Sequence, residues 1–464
     1  MNNKVLLIQS NYHVKADSDI WAANPPLGLC YIAAVLEKEN IPVEIIDADV
    51  KNLSIKRTIS LIKKKKAKYV GFSILTPAAD WCTEIVKQLP KSFVKIAGGP
   101  HASAVPEELL KSGFDIVVVG EGEETLLEIM QGKKLQDISG IVYRKNKKIF
   151  RNPPRGPLDP DKLPLPARYL IEKGGTNKPY FSSGTRYFPW SPIITSRGCP
   201  FNCYFCNKNI FGHRFRPRSP EKVVEEIDHL VNTYKVKELD VYDDCFNSDI
   251  KRAEKILDLI IERKYKLYLR FSNGIRADRI TSKLLKKMKS AGTDYIAYGV
   301  ESGDAEVLKK IPKGETLAQI RRAVRLTKEA KIPVIGFFIF GLIGDTKKSM
   351  QNTIDFAKNT GFDRAILNIA TPFPGTRMWN IIKQSGGKIF IKNWKDFHNT
   401  SGKMLYEMPG TATPAEVEEM YKKAWISFYF RPKFILKQIP KLLTPSLIPM
   451  MYLGLKRILY AQKN

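Results

Sequence analysis

Short apolar runs alternate with amphipathic stretches through most of this 464-residue chain. The first part reads KVLLIQ, a helical repeat from Tyr31 to Glu39, VEIID, a second from Ile55 to Lys64, YVGFSIL, a third from Trp81 to Leu89, then VKIAGG and DIVVVG. Strands alternating with helices predict a parallel sheet, a Rossmann-like α/β domain over 1–135 with ligands at the strands' carboxyl ends. The turn GEGEE lacks the third glycine of a dinucleotide fingerprint, which argues against a nicotinamide cofactor.

Residues 136–190 lose the alternation and turn basic and proline-rich (RNPPRGPLDPDKLPLPARY), the composition of a linker. From Ser191 the series resumes with SPIITSR, a helix opened by Ser219-Pro220, ELDVY, LYLRF, YIAYGV, VIGFFIFG and AILNIA, with helical repeats between. These six β/α repeats predict a partial TIM-type barrel over 191–385 with its chemistry at the carboxyl ends of the strands. A helical, basic tail over 386–464 completes the chain.

Hydrophobic residues make up 43% and charged residues 27%, a globular composition. The net charge of +29 admits nucleic acid, anionic lipid or an acidic substrate. From Arg431 the tail carries seven basic residues and no acidic one, interleaved with Leu, Ile, Met and Tyr, which suits either an interfacial segment or a helix capping the barrel mouth. The Lys63 to Lys66 run reads as a solvated helix end. Neither Ile332–Gly344 nor Leu442–Leu455 reaches the roughly 20 apolar residues of a membrane span. The opening MNNKVLLIQSNY reads as a strand rather than a secretory signal, and the six cysteines suggest no disulfide framework, so a cytoplasmic location is expected.

Cys199, Cys203 and Cys206 lie in SRGCPFNCYFC, just past a predicted first barrel strand. Three thiolates can hold three irons of a cubane cluster and leave the fourth open to a ligand. Zinc is the competing reading, with His213 or Cys245 as fourth ligand, but zinc sites favour paired C-x-x-C elements.

The spacing and its setting resemble the radical S-adenosylmethionine (SAM) superfamily. That resemblance implies a 4Fe-4S cluster on the three cysteines whose open iron chelates SAM, and Phe205 with its backbone near the adenine. DVYDDCF stands where the family binds the SAM amino group, making Asp243 and Asp244 candidates, with a helix-capping pair as the alternative. FSNGIRADRI and GVESGDAEVLKKIPKGET resemble the group of methylthiotransferases and coproporphyrinogen oxidases. By that likeness Glu301 faces the ribose hydroxyls, Ser272 and Arg276 face the SAM carboxylate, and Ile339, Gly341 and Thr371, with Pro372, wall the adenine.

PPLGLCYIAAVLEKENIPVEIID, YVGFSILTP, AGGPHAS and VVVGEGEE resemble the cobalamin-binding module fused ahead of many such enzymes. Leu27, Gly28, Ser73, Thr76, Gly98, Gly99, Glu121 and Gly122 are the implied cobalamin contacts. The D-x-H-x-x-G string that ligates cobalt from below is absent, so the implied state is base-off, or a scaffold that has lost cobalamin, with His101 an ordinary surface turn residue.

Together the resemblances imply reductive SAM cleavage to a 5′-deoxyadenosyl radical and methylation of an unactivated carbon. Cyclisation or rearrangement without methyl transfer uses the same two domains. A tRNA methylthiotransferase predicts a second cysteine triad, whereas the first domain has only Cys30 and Cys82. A zinc-stabilised nucleic-acid binder is the non-catalytic alternative; nucleic acid is not the favoured partner. Expected partners are a small-molecule substrate, lipid-like or tetrapyrrole, an electron donor such as flavodoxin or ferredoxin, and a membrane surface met by the tail.

Overall fold

The first apolar run forms the interior of a sheet because both of its faces are covered. In the computed structural model, which describes residues 4–12, 23–182, 184–397, 401–432 and 434–436, Val5, Leu6, Leu7 and Ile8 are all buried. β1 (Val5–Gln9) pairs in parallel with β2 (Val43–Asp47) and β3 (Tyr69–Ser73); β4 (Val94–Gly98) and β5 (Ile116–Val118) extend the sheet. The order β2-β1-β3-β4-β5 puts the topological switch between β1 and β3. Helices α1 (Leu27–Lys38), α2 (Ile55–Lys64), α3 (Ala79–Gln88), α4 (Pro100–Ala104), α5 (Pro106–Lys111) and α6 (Glu123–Met130) provide the crossovers.

This sheet does not end at 135. β6 (Ile141–Lys145) and β7 (Lys148–Arg151) add two antiparallel strands, so the first part of the expected linker belongs to the first domain. Ile141, Val142 and Tyr143 are buried against β5, and the turn passes through Asn146 and Lys147 at φ +49° and +64°, the left-handed pair of a tight hairpin. The prolines that read as linker begin only at Pro153.

The second sheet starts with β8 (Trp190–Ile193), followed by a short antiparallel pair, β9 (Ser196–Arg197) and β10 (Arg216–Pro217), which forms the neck of the cysteine loop. Then come α7 (Pro220–Tyr234), β11 (Glu238–Val241), α8 (Ile250–Glu262), β12 (Tyr268–Ile275), α9 (Ser282–Ser290), β13 (Thr293–Glu301), α10 (Ala305–Lys310), α11 (Leu317–Glu329), β14 (Val334–Phe340), α12 (Lys347–Asn359) and β15 (Arg364–Ile369). The six long strands run parallel in the order β15-β14-β13-β12-β11-β8, with no pairing between β15 and β8. One face buries Leu239, Val241, Leu269, Phe271 and Ile296 against the helices, while Tyr295, Ala297, Ile335 and Phe337 cluster on the other.

α13 (Arg377–Gln384) and α14 (Pro414–Tyr429) follow; α14 is fixed to β15 by the Tyr429 hydroxyl, which donates to the Ala365 carbonyl at 2.5 Å. The tail from 437 lies outside the described residues. Residues 153–189 bind the two sheets together. The Tyr180 hydroxyl donates to Asp47 at 2.8 Å, the Trp190 indole N–H donates to the Tyr180 carbonyl at 3.0 Å, and Arg168 reaches the Pro192 carbonyl at 2.8 Å.

Candidate functional site

Cys199, Cys203 and Cys206 sit on the loop between β9 and β10, at the carboxyl edge of the second sheet. Gly198 makes the entry possible: at φ +80° a Cβ there would lie 2.3 Å from the Arg214 carbonyl. Tyr204 anchors the far side, its hydroxyl accepting the Ile343 N–H at 3.2 Å and its carbonyl the Met378 N–H at 2.8 Å. Phe205 crosses Tyr204 edge to face at 5.7 Å and remains half-buried.

Cys245, four residues past β11, is buried with its thiol donating to Asn247 Oδ1 at 3.8 Å, and its interaction with the neighbouring Cys199 draws the Cys199 thiol down to about 6. Burial raises Cys203 to about 12 and raises Cys206 as well. Three thiols on one loop are the donor set that a cubane cluster with one open iron takes.

The two aspartates at the end of β11 have different surroundings. Asp243 is buried and accepts from the Thr195 N–H and hydroxyl at 2.6 and 2.5 Å and from the Ser196 hydroxyl at 2.6 Å. Its oxygens hold the β8–β9 turn. Asp244 is exposed, takes only the Gly198 N–H at 3.0 Å, and faces Lys208 and the cysteines. Burial works against the Lys208 ammonium, but Cys206, Cys199 and Asp244 hold its pKa above the ordinary lysine value.

Two further candidates also have partners within the protein. Arg276 donates to both Asp278 oxygens at 2.8 and 2.9 Å and to the Lys313 carbonyl at 2.8 Å, which braces the loop. Ser272 donates to Asp240 at 2.8 Å and lies 2.6 Å from the Tyr295 hydroxyl, inside a buried network with Arg270 and Glu238. It lines a cavity of about 280 Å³ on the helix-free face, with Asn24, Tyr242, Asn273, Ile335, Phe337 and Ile366.

Glu301 ends β13 at φ +66°, a conformation that side chains disfavour and that clusters at functional sites. Lys313 holds it at 2.8 Å and also meets Glu315 at 3.1 Å. A Cβ on Gly299 would stand 2.4 Å from Glu301 Oε1 and 2.7 Å from Lys313 Nζ, so the glycine leaves room for this pair. Burial disfavours the Lys313 charge, yet Glu301 and Glu315 keep its pKa above the usual lysine value. Ile339 is half-buried on β14, and Thr371 is buried past β15 with its hydroxyl on the Ile369 carbonyl at 3.2 Å. A Cβ on Gly341 would point at Val417 of α14, 2.8 Å away, and the Tyr406 hydroxyl holds the Gly341 carbonyl at 2.5 Å. That side of Gly341 therefore serves packing.

The candidate cobalamin contacts gather at the carboxyl edge of the first sheet. Leu27 and Gly28 open α1, the latter with nothing within 4 Å of its Cβ position. Ser73 ends β3 with its carbonyl accepting the Ser10 hydroxyl at 2.6 Å, and Thr76 follows it. Gly98 ends β4, Gly99 opens α4 and Gly122 opens α6. The switch-point edge of a parallel sheet is where such folds take their ligands. Glu121 meets Arg197 and Arg216 at 2.7 Å each and accepts the Leu158 N–H at 3.3 Å.

His101 is not a surface residue. It is fully buried, packs edge-on against Trp394 at 4.8 Å, and approaches the Thr76 hydroxyl at 3.4 Å through Nδ1. Burial pushes its pKa down to about 4 and leaves Nε2 without a partner. Trp394 caps it from the C-terminal segment by donating to Glu108 at 3.0 Å, a contact no local pattern announces. Sequence reasoning also missed Arg197, Arg216, Lys208 and Lys313. Only Lys313 had a local signal, as the cation in PKGET beside GVESG.

A three-thiol loop at the edge of one parallel sheet, opposed by the open edge of a switch-point sheet, defines a two-cofactor iron–sulfur enzyme. Family models agree: residues 193–357 match the radical SAM superfamily and residues 22–130 the B12 binding domain. An uncharacterized methyltransferase of Pyrococcus horikoshii is 33% identical over 449 residues, covering 94% of each chain. The anaerobic magnesium-protoporphyrin IX monomethyl ester cyclase of Rubrivivax gelatinosus is 26% identical, over 85% of this chain and 72% of its own. The fold is shared with the radical SAM methyltransferase TsrM from Kitasatospora setae, solved with cobalamin and a [4Fe-4S] cluster, at a TM-score of 0.71 and 19% identity over 93% and 90% of the two chains.

The chain belongs to the radical SAM superfamily and carries its B12-binding domain. It is a radical SAM enzyme whose cofactors are a 4Fe-4S cluster, SAM and cobalamin. Among the described residues no helix is long and apolar enough to cross a membrane.

Proposed function

We propose that this enzyme transfers a methyl group to an unactivated carbon of a small-molecule substrate. The observation that carries this reading is the opposition of the two carboxyl edges, in which the Gly120–Glu123 turn of the first sheet meets the cysteine loop of the second. A substrate between them lies within reach of both cofactors. The second sheet is read as a partial barrel, with the cavity beside Tyr295 and Phe337 as its lumen.

In the proposed roles Cys199, Cys203 and Cys206 hold the cluster, Asp244 accepts the SAM ammonium, and Glu301, held by Lys313, accepts the ribose hydroxyls. Phe205, Ile339 and Thr371 enclose the adenine. Leu27, Gly28, Ser73, Thr76, Gly98, Gly99 and Gly122 edge the cobalamin. The bound cofactors supply radical generation and a transferable methyl group; the protein orients them and excludes water. The cavity lining combines apolar Ile335, Phe337 and Ile366 with neutral polar Asn24, Asn273 and Tyr242, which suits a substrate with an apolar body and neutral polar edges, lipid-like or tetrapyrrole.

Cyclisation without methyl transfer is the second reading, favoured by the likeness to the Rubrivivax cyclase. A flavodoxin or ferredoxin is the proposed electron donor. Ile426, Phe430, Ile435 and Leu436 are exposed at the end of α14, where the basic tail begins, which supports peripheral contact with anionic lipid. The test is anaerobic purification with iron, sulfide, zinc and cobalamin measured on one sample, then incubation with methyl-deuterated SAM. Deuterated methylcobalamin is the expected product before substrate is added. A loaded cluster with no cobalamin, or cobalamin that never acquires the label, overturns methyl transfer.

A further inference from the structure

The two carboxylates of the GEGEE turn form a buried joint with the neck of the cysteine loop. Glu121 accepts from Arg197 Nη1 on one oxygen and Arg216 Nη1 on the other, each at 2.7 Å, while Arg197 Nη2 reaches Glu123 at 2.7 Å. Arg197 and Arg216 are direct partners across β9 and β10, the strands that enter and leave the loop. A single carboxylate therefore bridges both sides of the neck. The Arg197 guanidinium also lies 5.1 Å from the Tyr31 ring of α1 and 5.0 Å from the Phe211 ring of the loop.

Every charged side chain in this joint is 7% exposed or less, and its two cations balance its two anions. Removing one member of such a set leaves an uncompensated buried charge, so the arrangement tolerates little displacement. The turn is also held from behind, where the Gly120 N–H donates to the Ser103 hydroxyl at 3.0 Å, and a Cβ on Gly120 would stand 3.8 Å from the Ile210 carbonyl of the cysteine loop. Exposed ion pairs contribute little; this network is buried, Arg197 forks between Glu121 and Glu123, and its guanidinium lies beside two aromatic rings.

We propose that the Glu121/Glu123–Arg197/Arg216 clamp sets the separation between the cobalamin edge and the cluster loop, making Glu121 and Glu123 positioning residues for chemistry that passes between the two cofactors. The inference rests on the cofactor set and not on methyl transfer as the outcome. A merely stabilising pair would shift unfolding without changing that separation.

Cob(II)alamin and the reduced cluster are both paramagnetic, so pulsed dipolar EPR on the loaded full-length chain reads their separation directly. Glu121→Gln is expected to broaden the distance distribution about twofold, since one side of a buried pair is lost, and Arg216→Lys, which keeps the charge but not the fork, to fall between it and wild type. A cofactor-independent readout is amide hydrogen exchange on the unloaded chain. Residues 119–124 and 197–199 are expected to exchange about tenfold faster in Glu121→Gln. An unchanged distance distribution, or unchanged exchange across both stretches, overturns the proposal. Failure of every variant and of wild type to take up cobalamin overturns the cofactor assignment instead, and the exchange result still decides the clamp.

Discussion

Arg276 stacks on Phe201, its guanidinium carbon 3.5 Å from the ring centroid. The contact joins the end of β12 to the cysteine loop, two residues past Cys199, and Asp278 holds the guanidinium flat by receiving two of its N–H groups. Lysine can supply the charge at this position but not the plane or the fork. Arg276→Lys is expected to destabilise the fold by about 2–3 kcal/mol and to lower iron content per chain. Urea unfolding and iron analysis check both; a variant with normal iron and unchanged stability refutes the bracing role.

The neighbouring aspartates should separate stability from binding. Asp243→Asn places donors against the Thr195 and Ser196 donors in a buried site, with an expected loss of about 3–5 kcal/mol seen as a lower unfolding midpoint. Asp244→Asn alters an exposed carboxylate and should leave the midpoint within about 0.5 kcal/mol. Its expected defect is weaker SAM binding, read by equilibrium dialysis against the cluster-loaded enzyme.

Glu301 and Lys313 act as a unit, so neither is replaceable alone. Lys313→Met strands Glu301 and Glu315 beside Cys203, whereas Glu301→Gln keeps the shape and removes the charge. Each is expected to weaken SAM binding roughly 10- to 100-fold, the cost of one or two hydrogen bonds to a charged group. The double variant should lose less than the sum, because both changes break the same pair. Additive losses in the double-mutant cycle would show the two residues to be independent.

His101 gives the fold a defined acid sensitivity. Its pKa is near 4 in the folded protein, against an ordinary histidine near 6.5, because burial next to Trp394 disfavours the imidazolium. Above 6.5 both states are neutral and stability does not depend on this group. Between 6.5 and 4 the unfolded chain takes up a proton that the folded chain refuses, so stability falls as pH falls, by at most about 3 kcal/mol. Wild type minus His101→Gln, compared by urea unfolding across this range, should show that decline; a flat difference would place a charge partner at Nε2.

The cysteine spacing and GVESG point to the carboxyl edge of the second sheet, where the cysteine loop and Glu301 lie, but local identity does not tell neighbouring side chains there apart. Asp243 and Asp244 are adjacent and chemically identical, yet one is a buried strut and the other faces solvent. The difference lies in Thr195 and Ser196, distant in sequence and brought opposite by the β8–β11 pairing. Glu121 is a further case, since the nearer of its two arginine partners stands 76 residues further along the chain. The hairpin of β6 and β7 was hidden because a proline-rich stretch just beyond it dominated the composition of the region.

By itself the sequence determined what is periodic or contiguous: the alternation of strand and helix, the parallel sheets that alternation requires, and the spacing of three cysteines on one loop. Those depend on neighbours along the chain, where side-chain periodicity and turn chemistry are set. Tertiary structure decided which polar groups are already satisfied and which are left for a ligand. Burial makes that decision, because a charge removed from water must find its partner wherever the fold supplies one. Arg197 with Glu121, Lys313 with Glu301, and His101 beneath Trp394 are such pairings, and each rests on which surfaces the two sheets bring together.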